Sequence, residues 1–222
     1  MVIFFVKSFC YYLYQVVPWD ISIETTEPKI DLLPRLITDK TVAILVAHIY
    51  GKWCNMDPII DVAQPLGIHV IEDCAECFCG FDLIGNPRSD LALFSFGVIK
   101  NSTAFGGAIA KVKDKSIVHQ MEEAYQNYPV QSHREYLKRI LKYYIVYLVL
   151  LPYPTQFIVS LSRLLGVDHK AVVVSMLRGF PDQMVQRIKS QPSAALLHMM
   201  RERFAGFNRE DFDAGTVKGI KS

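Results

Sequence analysis

No charge of one sign dominates this chain: 24 lysines and arginines stand against 22 aspartates and glutamates, a formal net charge of +2. The strong basic bias of a nucleic-acid binder is therefore missing, and no nucleic-acid partner is expected. Internal repeats and low-complexity tracts are missing too, which sets aside repeat arrays. Cysteine is sparse and odd in number: of five, three crowd into residues 74–79, too close together for a disulfide framework. The expectation is a reduced, cytoplasmic protein, at most peripheral to a membrane. The apolar start MVIFFVKSFCYYLY has no positive region before it and no small-residue cleavage site after it, so it reads as a buried strand rather than a signal peptide.

An uninterrupted membrane span is lacking as well. Tyr143 to Leu161 is apolar, but Pro152 and Pro154 break it after about ten residues, short of the roughly 20 a bilayer needs. The expectation for this stretch is a helical hairpin packed on the domain or on a second subunit. Its basic, aromatic lead-in, HREYLKRILKYY, is also the composition of a helix lying at a membrane surface, so weak membrane association through residues 131–166 stands as the alternative.

What is present is a large apolar fraction, 51% of 222 residues, enough for one sizeable domain with an appendage. Residues up to about 115 alternate β-like runs with helical or turn segments, the pattern of an α/β domain. TVAILVA (Thr41 to Ala47) reads as a strand buried on both faces. DPIIDVAQPLG reads as a helix that stops at Gly67, IHVIED as a second buried strand, SDLALFSFG as a third and GGAIAKVKD as a fourth. Strand–helix–strand implies a right-handed crossover and a parallel pair. Ligands gather beyond the carboxyl ends of such strands, which brings forward His48, Tyr50, Gly51, Glu72, Asp73, Ser95, Phe96 and Lys100. From Lys115 the chain turns helical, with Pro192 as a kink or a start in its last helical stretch.

Cys74, Cys77 and Cys79 could hold zinc with His69 or Cys54 as fourth ligand. A structural zinc site, however, brings two separated ligand pairs, and only one cluster is present. Small, soft side chains packing after a buried strand account for them better, and no metal is expected. Asp73 and Lys100 form the more telling pair, an acid and an amine converging on one sheet edge. Pyridoxal phosphate catalysis needs such a pair, a lysine that forms a Schiff base with the cofactor aldehyde and an acid that keeps the pyridine nitrogen protonated. Ser95 and the adjacent turn could serve the phosphate. Solvated loop charges remain the alternative on spacing alone.

Five motifs in order then carry a resemblance: His48 to Gly51, Asp57 to Ile59, Glu72 to Glu76, Ser95 to Lys100, and Gly106–Gly107. Together they resemble the DegT/DnrJ/StrS family of pyridoxal-phosphate-dependent sugar aminotransferases, over roughly residues 16–113. The resemblance implies a fold-type-I large domain, a mixed and mainly parallel sheet with flanking helices, here incomplete. It also implies pyridoxal 5'-phosphate as cofactor, a keto-sugar nucleotide and an amino-acid donor as substrates, and a homodimer. Carried over, Lys100 is the Schiff-base lysine and proton shuttle, Asp73 the pyridinium partner, Ser95 a phosphate ligand and Glu76 a residue close to the cofactor, with His48 a wall or supporting residue.

The family's upstream Gly-Thr turn, its ring-stacking aromatic and its smaller C-terminal domain have no counterpart here. The expectation is the middle of such an enzyme: residues 1–130 the α/β core, 131–180 a helical insertion, 181–222 a helical segment leading toward the missing domain. Whether as a working transaminase or as an impaired relative acting through interaction or membrane contact, Lys100 and Asp73 are the residues on which the reading turns.

Overall fold

The computed structural model describes residues 14–100, 102–165 and 189–207. The expected first strand in residues 1–13, the end of the 131–180 segment, the helical expectation for 184–188 and the tail beyond 207 lie outside the described residues. The chain gathers into two units, Met1–Ala124 with His198–Ser222, and Tyr125–Leu197.

In the first unit, a short helix α1 (Leu33–Leu36) leads into strand β1 (Ala43–Ala47). Helix α2 (Asp57–Ala63) connects it to β2 (His69–Asp73). Strands β3 (Leu91–Ser95) and β4 (Ala108–Val112) follow. The sheet runs in the order β1–β2–β3–β4. The first three strands are parallel and β4 pairs antiparallel with β3, so the sheet is mixed and mainly parallel. Helix α2 carries Pro58 in its first turn, where the missing N–H is harmless. It stays α-helical only to Ala63 and then tightens into a 3-10 turn, Gln64–Leu66. Pro65 is the reason, because it has no N–H to continue the ladder. Gly67 closes the turn at φ +68°, a conformation that glycine adopts without strain.

Expected burial on both faces of the strands is not what the sheet shows. Ile44 and Val46 of β1 and Val70 of β2 are buried with Ile59, Ile60 and Ala63 of α2 in one core, while Ala43, Leu45, Ala47 and Ile71 are only half-buried. Helix α2 covers one face, and the opposite face is less completely covered. Register then assigns functional residues to faces, since side chains paired across parallel strands point the same way. Val46, Glu72 and Ala92 share the α2 face; Ala47, Asp73 and Leu93 share the other, and Ser95, two residues beyond Leu93, joins them. Asp114 then opens helix α3 (Lys115–Gln126) by accepting the Ser116 N–H at 2.7 Å.

The second unit is helical. Helix α4 (His133–Val149) starts on a capping box: Ser132 Oγ accepts the Glu135 N–H at 3.2 Å, and Glu135 Oε2 accepts the Ser132 N–H at 3.2 Å. Helix α5 (Pro152–Leu165) opens at Pro152, so the expected interruption of the apolar run falls here, with the proline in the first turn of the next helix. The two axes turn by 77° across the break. No single helix among the described residues is long and apolar enough to cross a membrane. Gln191 ties the unit together: its amide N–H groups donate to the carbonyls of Tyr125, Gln126 and Tyr128, and its backbone bridges Val130. Helix α6 (Ala194–Ala205), which from His198 onward belongs to the first unit, begins just after Pro192, with Ser193 Oγ accepting the Leu196 N–H at 3.3 Å. Pro192 is thus part of the approach to a helix start.

Candidate functional site

The carboxyl ends of β1, β2 and β3 converge because their registers are matched, Ala47 beside Asp73 and Asp73 beside Leu93. Asp73 closes β2 with its carboxyl buried. Its Oδ1 accepts the Ala75 N–H at 3.1 Å. Burial pushes this carboxyl above the usual carboxylate range, and the Ala75 N–H and the positive charge of Lys100 pull part of that back. Lys100 therefore acts electrostatically on Asp73.

Lys100 follows β3 in a tight turn in which its N–H reaches the Gly97 carbonyl at 3.0 Å. Its ammonium is largely sheltered, with 13% of the side chain exposed, and donates to Glu76 Oε1 at 3.4 Å. The other oxygen of Glu76 accepts the Tyr50 N–H at 3.2 Å. Tyr50 sits at φ +56°, an uncommon conformation for a residue with a side chain, and its ring is exposed. The chain returns to β4 through Phe105, Gly106 and Gly107, all at positive φ, with the Phe96 N–H bonded to the Gly107 carbonyl. Ser95 lies half-buried at the end of β3, opposite Ala108.

His48 is placed differently from these. Its Nε2 lies 2.8 Å from Glu72 Oε2, and its Nδ1 accepts the Cys54 N–H at 3.0 Å. Burial works against a charged ring, while Cys54, Cys74 and Glu72 work in its favour. The Cys54 N–H aimed at Nδ1 decides the matter, because a protonated Nδ1 would meet another donor. The ring is neutral, with its one proton on Nε2. Its face packs against Trp53, ring centres 4.8 Å apart. His48 thus braces the loop after β1 from the α2 face of the sheet, whereas Asp73 belongs to the other.

The sequence marks Glu72 as a strand-end acid and as the start of the Glu72 to Glu76 motif, and neither signal announces its structural task. Fully buried, it takes the His48 proton on one oxygen and the Asn86 N–H at 2.8 Å on the other. Burial opposes its ionisation, but His48 and the Asn86 N–H outweigh burial and hold it below the usual range. A second feature missed in the sequence is Ser102, two residues past Lys100, whose Oγ is buried with no hydrogen-bond partner among the described residues.

Cys74, Cys77 and Cys79 do not gather into a ligand cluster of their own among the described residues. Among the described residues, the one His/Cys/acid trio whose donor atoms lie within 4.8 Å of one another is His48, Glu72 and Cys74. Both ring nitrogens of that histidine are already engaged, and burial raises the Cys74 thiol and keeps it protonated. The Cys77 thiol is pushed up to about 12, first by burial, and donates to the His48 carbonyl at 3.4 Å. His69, once a candidate fourth ligand, lies 3.6 Å from Asp90.

This edge offers the donor set that pyridoxal phosphate requires: an amine to which its aldehyde can join, a buried acid on the same edge, and a hydroxyl at Ser95 for an anion, with the buried Ser102 hydroxyl two residues past the lysine. The residues present fit the cofactor.

Residues 6–145, well over half of the chain, match the sequence model of the DegT/DnrJ/EryC1/StrS aminotransferase family. The chain belongs to that family. Among curated relatives, the chain is 31% identical over 128 residues to a GDP-perosamine synthase of Escherichia coli O157:H7, covering 56% of this chain and 33% of the relative. To the GDP-perosamine synthase of Caulobacter vibrioides it is 38% identical over 92 residues, covering 40% and 24%. The solved aminotransferase of Psychrobacter cryohalolentis shares the fold at a TM-score of 0.50 and 23% identity, over 56% of this chain and 32% of that one. The chain thus spans about a third or less of the length of these relatives. The fold class is the one the motifs implied, a mixed, mainly parallel sheet with flanking helices, of the kind found in this family's enzymes.

Proposed function

We propose that this chain carries the cofactor-holding core of a pyridoxal-phosphate-dependent sugar aminotransferase, with a keto-sugar nucleotide as acceptor and an amino acid such as glutamate as donor. The observation that carries the reading is sheltered Lys100, ion-paired to Glu76 and near enough to buried Asp73 for its charge to act on that carboxyl, within a chain of this family. Relatives named GDP-perosamine synthase and UDP-4-amino-4-deoxy-L-arabinose–oxoglutarate aminotransferase support the substrate class.

When bound, the cofactor supplies an electron sink for carbanion chemistry. Everything else falls to side chains. Lys100 Nζ would be the amine that holds the cofactor aldehyde and the base that moves a proton at the reacting carbons. Glu76 holds that amine in register through its 3.4 Å contact and is itself anchored by the Tyr50 N–H. Asp73, charged when faced by a cation, keeps a proton on the ring nitrogen. Ser95 is the hydroxyl available to the phosphate. His48 and Glu72 position the loop behind these side chains. A homodimer with a shared site completes the proposal.

The test is transfer of isotope-labelled nitrogen from glutamate to a keto-sugar nucleotide by the purified chain with added pyridoxal phosphate. Label in the sugar, absent in Lys100→Ala, is expected. A wild-type chain that holds the cofactor yet labels no keto-sugar overturns the proposed activity.

A further inference from the structure

The helical hairpin of the second unit takes no part in the chemistry above, yet it presents an organised surface. Leu137, Leu141, Tyr144, Ile145 and Leu148, spaced i, i+4, i+7, i+8, i+11, fall on one side of α4 and are 40% to 64% exposed. Tyr136 and Val146 mark its buried side. Along the rim of the apolar stripe run Arg134, Lys138 and Lys142, all exposed and one turn apart. The sole acid of α4, Glu135, is engaged in the capping box at its start. Helix α5 contains no acid at all and repeats the pattern with exposed Tyr153, Phe157, Leu161 and Leu164.

We infer that this hairpin is a docking surface for an anionic lipid membrane, with α4 lying in the plane of the interface. An apolar stripe edged by lysine and arginine, rich in tyrosine, is the composition that sinks into the headgroup boundary while its cations stay with lipid phosphates. Neither helix is long and apolar enough to cross a bilayer by itself, and although the pair, bent by 77°, would suffice by length and composition, the cationic row on α4 places it in the plane of the interface. A second copy of the chain suits the face less well. A two-fold interface through this stripe would bring the same cationic row from both copies together, and neither helix has a free-facing acid to answer it. Sugar-nucleotide chemistry is not assumed at any step, so this surface stands or falls independently of the transaminase reading.

Flotation of the full chain with vesicles tests the inference. The wild-type chain is expected to rise with phosphatidylcholine vesicles that contain phosphatidylglycerol and to stay behind with pure phosphatidylcholine. Lys138→Glu/Lys142→Glu, folded by circular dichroism, should reduce recovery about tenfold or more, at about 1 kcal/mol per basic residue near the surface. Leu137→Ser/Leu148→Ser, which keeps the cations, should also weaken binding, and this separates insertion from simple charge attraction. No flotation with anionic vesicles, or equal flotation of the charge-reversed protein, overturns the inference. So does concentration-dependent self-association by light scattering that Leu141→Asp abolishes while vesicles recover nothing, because the face then belongs to a second copy.

Discussion

Glu72 and Asp73 are neighbours on β2, yet their carboxyls lie on opposite faces of the sheet and are held in opposite electrostatic states. Glu72, clamped by His48 and the Asn86 N–H, is held below the usual carboxylate range; Asp73, buried with a single backbone donor and a more distant cation, is pushed above it. Alternation along a strand makes this possible within two residues. One acid is satisfied inside the fold. The other is kept in need of a positive partner, which is what a cofactor site requires.

The clamp on Glu72 predicts an acid-sensitive fold. A carboxyl whose folded pKa is depressed adds stability above its unfolded pKa, about 4.3, and that stability is lost as the pH falls through the lowered folded value. Glu72→Gln removes this dependence and leaves one amide N–H facing either the His48 proton or the Asn86 N–H. It is expected to cost about 2–4 kcal/mol at neutral pH, read by urea unfolding, and to flatten stability below about pH 4. Equal stability of variant and wild type at neutral pH would show that the pair carries no such weight.

Asp73 predicts the reverse sign. Its raised folded pKa means that the buried charge weighs on the fold at neutral pH and that this burden lifts as the pH falls through the raised value. Asp73→Asn keeps an oxygen for the Ala75 N–H and removes the charge. Thermal unfolding at pH 7 should show a gain of about 0.5–2 kcal/mol, while retention of pyridoxal phosphate on desalting is lost. A variant that is less stable and still holds the cofactor would contradict both roles.

Gly85 is where the Glu72 clamp leaves no room. It sits at φ +85°, and an added Cβ would lie 2.8 Å from Ala92 Cβ and 3.1 Å from Glu72 Oε1. Gly85→Ala should therefore destabilise the chain by more than about 2 kcal/mol through strain and overpacking together. The same substitution at Gly67, which has nothing within 4 Å of the added atom, should carry the positive-φ penalty alone and cost less. Denaturant midpoints of the two variants make the comparison.

The thiols of Cys54, Cys74, Cys77 and Cys79 are all buried and unpaired. With Cys77 pushed up to about 12, native protein in a Cys10→Ser background should react with a thiol reagent only after denaturant is added. Rapid labelling at neutral pH would reopen a redox or metal role for this cluster.

The strand-end acids, the lysine loop and the order of elements were all legible in the sequence, because β-branched runs, a glycine stop and motif order are local signals. The clamp around Glu72 was not. Its partners, His48 and Asn86, lie 24 and 14 residues away, one acting through a ring and the other through a backbone N–H that no side-chain pattern announces. Gln191 was hidden for the same reason, as its partners are carbonyls more than 60 residues earlier. Pro152 does interrupt the apolar run, by opening a second helix, whereas Pro154 lies in the first turn of that helix, a distinction composition does not make. Strand burial was overstated since apolar content reports that a residue can be covered, and α2 covers only one face.

The central claim is that Lys100 is the amine that receives the cofactor. Borohydride reduction of the chain incubated with pyridoxal phosphate, followed by peptide mass mapping, tests it directly. The account predicts a pyridoxyl group on the peptide containing Lys100, with the visible absorbance it fixes lost in Lys100→Ala. Absence of the group, or its spread over surface lysines unchanged by that substitution, would contradict it.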